Sequence, residues 1–337
     1  MGFFDRLFGR SRAAGAAEQQ EADARKRADR READAQGGAD WQAADAREDA
    51  SSRKDAAAPR ERQPEAGEGA GPAGREKAGE PSTDQEAAPP VLRVGNIQGI
   101  GGREHQEDSF AVRNSSDLEG QRRQGLLAVV ADGMGGMAGG AYASQCAVDT
   151  LTQRFADWEG EPPAPNWLYA GAFAASEQVF GQFGGMSGTT LIAVHIRENL
   201  LHWVSVGDSA IFLMRNGGVF QLNREHTYLN QLYARELAEE TIDRSRAELD
   251  IDARRLTSFV GIDHLKEVDL NRRPWHLRRG DVLLLCSDGI SGVLSPPELK
   301  EAMSLEPDAG CALLETMVLE KQILEQDNYT GILIAYR

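Results

Sequence analysis

Residues 126–131, Leu-Leu-Ala-Val-Val-Ala, carry no polar interruption, and the chain then turns abruptly to Asp132-Gly133-Met134-Gly135-Gly136. An apolar run without alternation predicts a strand covered on both faces, and a carboxylate at its end is held in place by the core. The device recurs in Asp281-Val282-Leu283-Leu284-Leu285-Cys286-Ser287-Asp288-Gly289. Patterning predicts further strands at 91–98, 108–114, 189–196, 200–206, 210–214, 219–222, 267–270, 275–277, 282–287 and 330–336. Arg215-Asn216-Gly217-Gly218 has the composition of a hairpin turn. Apolar residues at helical spacing predict helices over 137–158, 166–183, 296–303 and 309–322, and residues 228–256 form a polar, helix-prone flap. Consecutive strands joined by short turns mean antiparallel sheet, so the expectation is an α+β sandwich with helices outside.

The pattern starts only at Val91. Residues 11–90 hold 18 acidic and 13 basic side chains, abundant alanine, and Trp41 as the one large apolar residue. Such a stretch cannot bury enough apolar surface to offset its ordering entropy, so it is expected to be a disordered, Ala-rich charged linker. Residues 1–10, MGFFDRLFGR, group Phe3, Phe4, Leu7 and Phe8 on one helical side. They form either a short amphipathic docking segment for a membrane or partner, or a frayed terminus. Residues 91–337 are then expected to be the folded domain.

Charge and cysteine content narrow the chemistry. The 337 residues carry 53 acidic and 37 basic side chains, net −16, most of it on the folded part. No basic stripe exists to neutralise phosphates, which argues against a nucleic-acid partner. Cys146, Cys286 and Cys311 are widely spaced in apolar contexts, neither a disulfide framework nor a zinc site. Buried free thiols and the lack of a membrane-length apolar run or signal peptide predict a cytoplasmic protein.

Glu107, Asp108, Asp132, Asp208, Asp288 and Asp327 each fall at a predicted strand end or tight turn. Like charges converge on one point only with a cation between them, and hard oxygen donors without histidine or cysteine suit Mg²⁺ or Mn²⁺. Two such ions activate a water for in-line attack on phosphorus. The six histidines show no ligand spacing, and His226 is given no catalytic role.

Arg103-Glu104-His105-Gln106-Glu107-Asp108-Ser109, Asp132-Gly133-Met134-Gly135-Gly136, Gly188-Thr189-Thr190, Val206-Gly207-Asp208-Ser209, Ser287-Asp288-Gly289 and Asp327-Asn328-Tyr329-Thr330 follow in that order. Together they closely resemble the metal-dependent protein phosphatase family, the type 2C Ser/Thr phosphatases, in its bacterial form. The resemblance implies a β-sandwich of two antiparallel sheets flanked by α-helices, a four-layer αββα fold. It implies hydrolysis of phosphoserine and phosphothreonine on proteins, with two or three Mn²⁺ or Mg²⁺ ions. By motif, Asp132 bridges two metals and the Gly133 carbonyl binds one of them. Asp288 and Asp327 complete one shell, Glu107 and Asp108 hold the other through water, and Asp208 serves a weaker third ion. Arg103 grips the substrate phosphate. The resemblance further implies a monomer that opposes a bacterial Ser/Thr kinase, either free in the cytoplasm or at the membrane periphery. Gln106 replaces the usual asparagine, and Met134 stands where animal members have a histidine, which leaves the general acid unnamed. Two other readings have less support. Gly133-Met134-Gly135-Gly136 lacks dinucleotide-binding spacing and no βαβ series follows it. A catalytically weak phosphoprotein-binding scaffold would be expected to lose metal carboxylates, and this chain keeps them.

Overall fold

The computed structural model describes residues 91–134, 138–161, 163–241 and 243–337. The chain divides into Met1–Thr83 and Asp84–Arg337. The expected docking segment at 1–10 and linker at 11–90 lie outside the described residues.

The described chain opens with β1 (Leu92–Gly99), β2 (Ser109–Arg113), α1 (Leu118–Arg123), β3 (Leu126–Ala131) and β4 (Gly133–Met134). Helices α2 (Ala138–Ala156) and α3 (Ala164–Phe183) follow. Next come β5 (Gly188–Thr189), β6 (Leu191–Arg197), β7 (Leu200–Val206), β8 (Ala210–Arg215) and β9 (Gly218–Gln221). The 228–256 excursion contains α4 (Tyr228–Ala238) and α5 (Arg244–Glu248). Then β10 (Asp269–Leu270), β11 (Trp275–His276) and β12 (Val282–Cys286) precede α6 (Asp288–Ser291), α7 (Pro296–Met303), α8 (Pro307–Glu320) and β13 (Tyr329–Tyr336).

One sheet has the order β1-β13-β12-β8-β9 and the other β10-β7-β6-β3-β2, with β11 also on β7. Pairing is antiparallel throughout. The unbroken apolar runs have their explanation here. Alternate residues of a strand face opposite sides, so a strand inside a sandwich needs apolar residues on both. From β3, Leu127, Val129 and Ala131 pack with α2 and α3 residues such as Leu151 and Leu168. Leu126, Ala128 and Val130 enter the core between the sheets, where they meet Leu283 and Leu285 of β12 and Ile332 of β13. The other face of β12, Val282, Leu284 and Cys286, packs with Leu299 of α7 and Leu314 of α8. The result is the αββα sandwich expected from the sequence.

Local differences have identifiable causes. α1 went unforeseen because it is six residues long and is set mainly by its cap, Asp117, whose Oδ1 accepts from the Glu119 and Gly120 amides. α3 starts at Ala164 rather than 166, because proline fits the first helical turn. The expected 189–196 strand breaks at Thr190, and the strand expected to reach Ser287 ends at Cys286, with Asp288 opening α6. Thr190 and Asp288, where these strands give way, line one cleft. Of 267–270 only Asp269–Leu270 pairs as strand. All three cysteines are free thiols, with Cys146 half-buried rather than buried.

Candidate active site

The sandwich delivers the acidic candidates to one edge. Ser109 pairs with Ala131, which brings the residues just outside that rung, Asp108 and Asp132, side by side. Cys286 pairs with Ala210, which brings Asp288 near Asp208 where the chain crosses between sheets. A cleft of about 410 Å³ opens there, lined by Arg103, Glu107, Asp132, Gly133, Asp208, Asp288 and Asp327 together with Glu104, His105, Met134, Thr190, Leu256 and Asn328. All the sequence-predicted site residues except Asp108 therefore line it. Asp108 is 5% exposed and stands behind the cleft wall, its Oδ2 accepting from Ser287 Oγ at 2.8 Å.

The backbone at the centre is tied down. The Asp132 amide donates to Thr190 Oγ1 at 2.9 Å, and the Thr190 amide donates to the Asp132 carbonyl at 2.8 Å. Thr190 Oγ1 also meets Ser209 Oγ at 2.7 Å. Glycine at 133 is a steric requirement, since a Cβ there would collide with the Glu107 and Gly140 carbonyls. Asn328 fastens the 100–107 loop: its Oδ1 accepts from the Glu107 amide at 2.7 Å, and its Nδ2 donates to the carbonyls of Ile100 (2.8 Å) and His105 (3.1 Å). Ser287 Oγ accepts from the Thr330 amide at 3.0 Å while donating to Asp108. Thr190, Ser287 and Asn328 received no role from the sequence, although each sits beside a predicted ligand.

The electrostatics are those of carboxylates without enough positive charge. Burial holds the Asp132 carboxyl well above the usual range, and Asp108, Asp288, Asp208 and Asp327 push it further. Burial raises Asp108 to about 6, with hydrogen bonds from Thr330 and Ser287 opposing. Asp208 rises to about 7 through burial, then Asp288 and Glu225. Asp288 is raised by burial and Asp327, and Glu107 likewise, with Arg103 pulling both down. Arg103 itself spans the cleft mouth, its Nη2 2.7 Å from Asp327 Oδ2. Glu107 Oε1 and Asp108 Oδ1 are buried without a hydrogen-bond partner.

Orphaned buried carboxylate oxygens around an all-oxygen donor set fit a hard divalent cation. Among the described residues, no three His, Cys, Asp or Glu side chains are drawn close enough to form a finished metal shell. Asp132 and Asp288 come within side-chain hydrogen-bond reach of each other, and Arg103 engages Asp327.

A family model described as Protein phosphatase 2C matches residues 102–322. The chain belongs to that family. Among its relatives, the serine/threonine phosphatase stp of Listeria innocua is 27% identical over 212 residues, covering 60% of this chain and 78% of the relative. The serine/threonine protein phosphatase PstP of Mycobacterium tuberculosis is 32% identical over 188 residues, covering 53% of this chain and 34% of PstP. The chain thus spans about a third of PstP's length. A crystal structure of the catalytic domain of PstP in complex with two manganese ions superposes with a TM-score of 0.58 at 27% identity, covering 73% of this chain and 99% of that one.

Proposed function

We propose that this chain is a metal-dependent protein Ser/Thr phosphatase that hydrolyses phosphoserine and phosphothreonine on proteins with Mn²⁺ or Mg²⁺. The observation that carries the reading is the cluster of acidic side chains on the cleft that the family motifs line, with buried, unpartnered oxygens on Glu107 at the cleft and on Asp108 behind it. Asp132, Asp288, Asp327 and the Gly133 carbonyl would hold two central cations, Glu107 and Asp108 would help to hold one of them, and Asp208 would hold a further ion. When bound, such ions supply Lewis-acid stabilisation of phosphoryl oxygens and lower the pKa of water.

The protein's own groups do the rest. Arg103 reaches the cleft from an exposed loop, and its planar fork matches a phosphoryl group, to which it transfers from Asp327. Asn328 and Ser287 fix the backbone and carboxylate orientations by the hydrogen bonds described above. Met134 lines the cleft and has no proton to give, so it is not the general acid for the leaving serine or threonine oxygen.

A phosphothreonine peptide incubated with the full chain, with Mn²⁺ and with chelator, tests the reading. Metal-dependent phosphate release is expected; no release by folded protein with any divalent metal would leave a phosphoprotein-binding scaffold.

The likeness to bacterial members supports a role opposite a Ser/Thr kinase. Free thiols suit a reducing cytoplasm, and no helix among the described residues is long and apolar enough to cross a membrane. Residues 1–10 would bring a monomeric catalytic domain to a membrane or partner through the 11–90 linker.

A further inference from the structure

Asp208 sits where the chain passes from β7 in one sheet to β8 in the other. That crossing needs Gly207, whose φ of +97° suits no L side chain and whose missing Cβ leaves room for Thr190. One residue grips the crossing at two points. The Gly207 amide donates to His226 Nδ1 at 3.1 Å, and the His226 amide donates to the Gly207 carbonyl at 2.8 Å. A backbone amide only donates, so Nδ1 is the bare ring nitrogen and the proton resides on Nε2. The ring is 7% exposed.

His226 is also the first rung of a short ladder. Its carbonyl accepts from the Thr257 amide at 2.9 Å, Thr227 bridges Leu256, and the Tyr228 amide donates to the Arg255 carbonyl at 2.8 Å. The ladder closes the base of the 228–256 excursion, and Leu256 at that base lines the cleft. On its far side Val260 exchanges both backbone hydrogen bonds with Thr189, next to the Thr190 that holds Asp132.

We propose that His226 is a positioning residue for Asp208. It fixes the Gly207–Asp208 crossing so that the carboxylate faces the cleft, and it ties that carboxylate to the base of the excursion. The proposal rests on the phosphatase reading above, and it assigns His226 an effect on cation binding at Asp208 rather than a contact with substrate.

The test uses the full chain and four substitutions. His226→Phe keeps the ring volume and loses the acceptor. His226→Gln keeps polarity but places its amide beyond the Nδ1 position. His226→Asn returns an acceptor oxygen near Nδ1. Asp208→Asn serves as the reference background. Calorimetric Mn²⁺ titration and the Mn²⁺ dependence of phosphothreonine-peptide hydrolysis are both read. His226→Phe should weaken the weakest Mn²⁺ site by about tenfold, the usual scale for groups that orient ligands. His226→Gln should do the same, which covers the case in which the phenylalanine variant does not fold. His226→Asn should recover most of the loss, and adding His226→Phe or His226→Gln to Asp208→Asn should change nothing further. Folded His226→Phe or His226→Gln with wild-type Mn²⁺ affinity would overturn the proposal, as would a loss that persists undiminished in Asp208→Asn. If wild-type protein shows no Mn²⁺-dependent hydrolysis, it is the phosphatase reading that has failed.

Discussion

Strand β12 has a carboxylate near each end, Asp281 buried and Asp288 exposed to the cleft, and the two are treated in opposite ways. At one end Asp281 is 2% exposed and fully answered. Arg215 donates from Nε to Oδ1 at 2.9 Å and from Nη2 to Oδ2 at 2.6 Å, and the Arg278 amide adds a bond at 2.8 Å. The guanidinium also lies over the Trp275 ring, 5.5 Å from its centroid. At the other end Asp288 meets Asp132, Asp327, Asp108 and Asp208; among the described residues Arg103 is ion-paired with Asp327, and it and Arg254 pull the Asp288 carboxyl down against burial and Asp327. The first arrangement spends a carboxylate on holding β8 to β12. The second leaves charge unneutralised inside a fold, a cost that makes sense only if a ligand supplies the missing positive charge.

That contrast is exposed to experiment at several levels. The largest effect expected is on catalysis: Asp132→Asn should lower Mn²⁺-dependent phosphopeptide turnover by at least about a hundredfold, read from initial rates at saturating metal. Asp281→Asn should do the reverse, leaving turnover per folded molecule unchanged while costing about 2 kcal/mol in denaturant unfolding, because it strands a half-buried arginine. If Asp281→Asn instead abolished turnover, the division between a structural and a functional end would fall.

A smaller effect concerns pH. In cation-free protein Asp108 and Asp208 titrate near 6 and 7, above their ordinary 3.8. Raised values mean that the folded state holds these protons more tightly, so their contribution is complete at low pH and is lost as pH rises through 6 and 7. His195 acts oppositely: burial lowers it to about 4, so its contribution is present above 6.5 and is lost toward acid. With chelator, the two aspartates should therefore lower stability as pH rises from about 4 to 7, with His195 opposing them below 6.5, and Mn²⁺ should abolish that fall. Denaturant midpoints at fixed pH read it directly. The smallest effect belongs to the exposed Arg103–Asp327 pair, with side chains 53% and 43% exposed. Arg103→Ala should change cation-free stability by less than about 1 kcal/mol, while raising KM for the phosphopeptide.

Much of this was legible in the sequence, and the reason is burial on both faces. Runs such as 126–131 and 282–286 admit only one reading inside a sandwich, and their ends placed Asp132 and Asp288. The Asn216-Gly217 hairpin turn was equally plain, with both residues at positive φ. What escaped depended on single hydrogen bonds rather than on periodicity. α1 is capped by one aspartate, and β4 with β5 is a pair of two-residue strands. Asp281 and Asp288 look alike in the chain, and only the fold brings Arg215 to the first. His226, given no role in the sequence, makes backbone contacts with Gly207 that no spacing rule records.

The account stands or falls on whether the crowded end of β12 is built for a cation. Thermal unfolding of the full chain and of Asp132→Asn, each with chelator and with saturating Mn²⁺, addresses this directly. Removing one uncompensated buried charge should make the cation-free variant melt higher than wild type, while Mn²⁺ raises wild type well above its own cation-free midpoint and moves the variant far less. A variant that melts lower without metal and gains as much from Mn²⁺ as wild type would contradict the account.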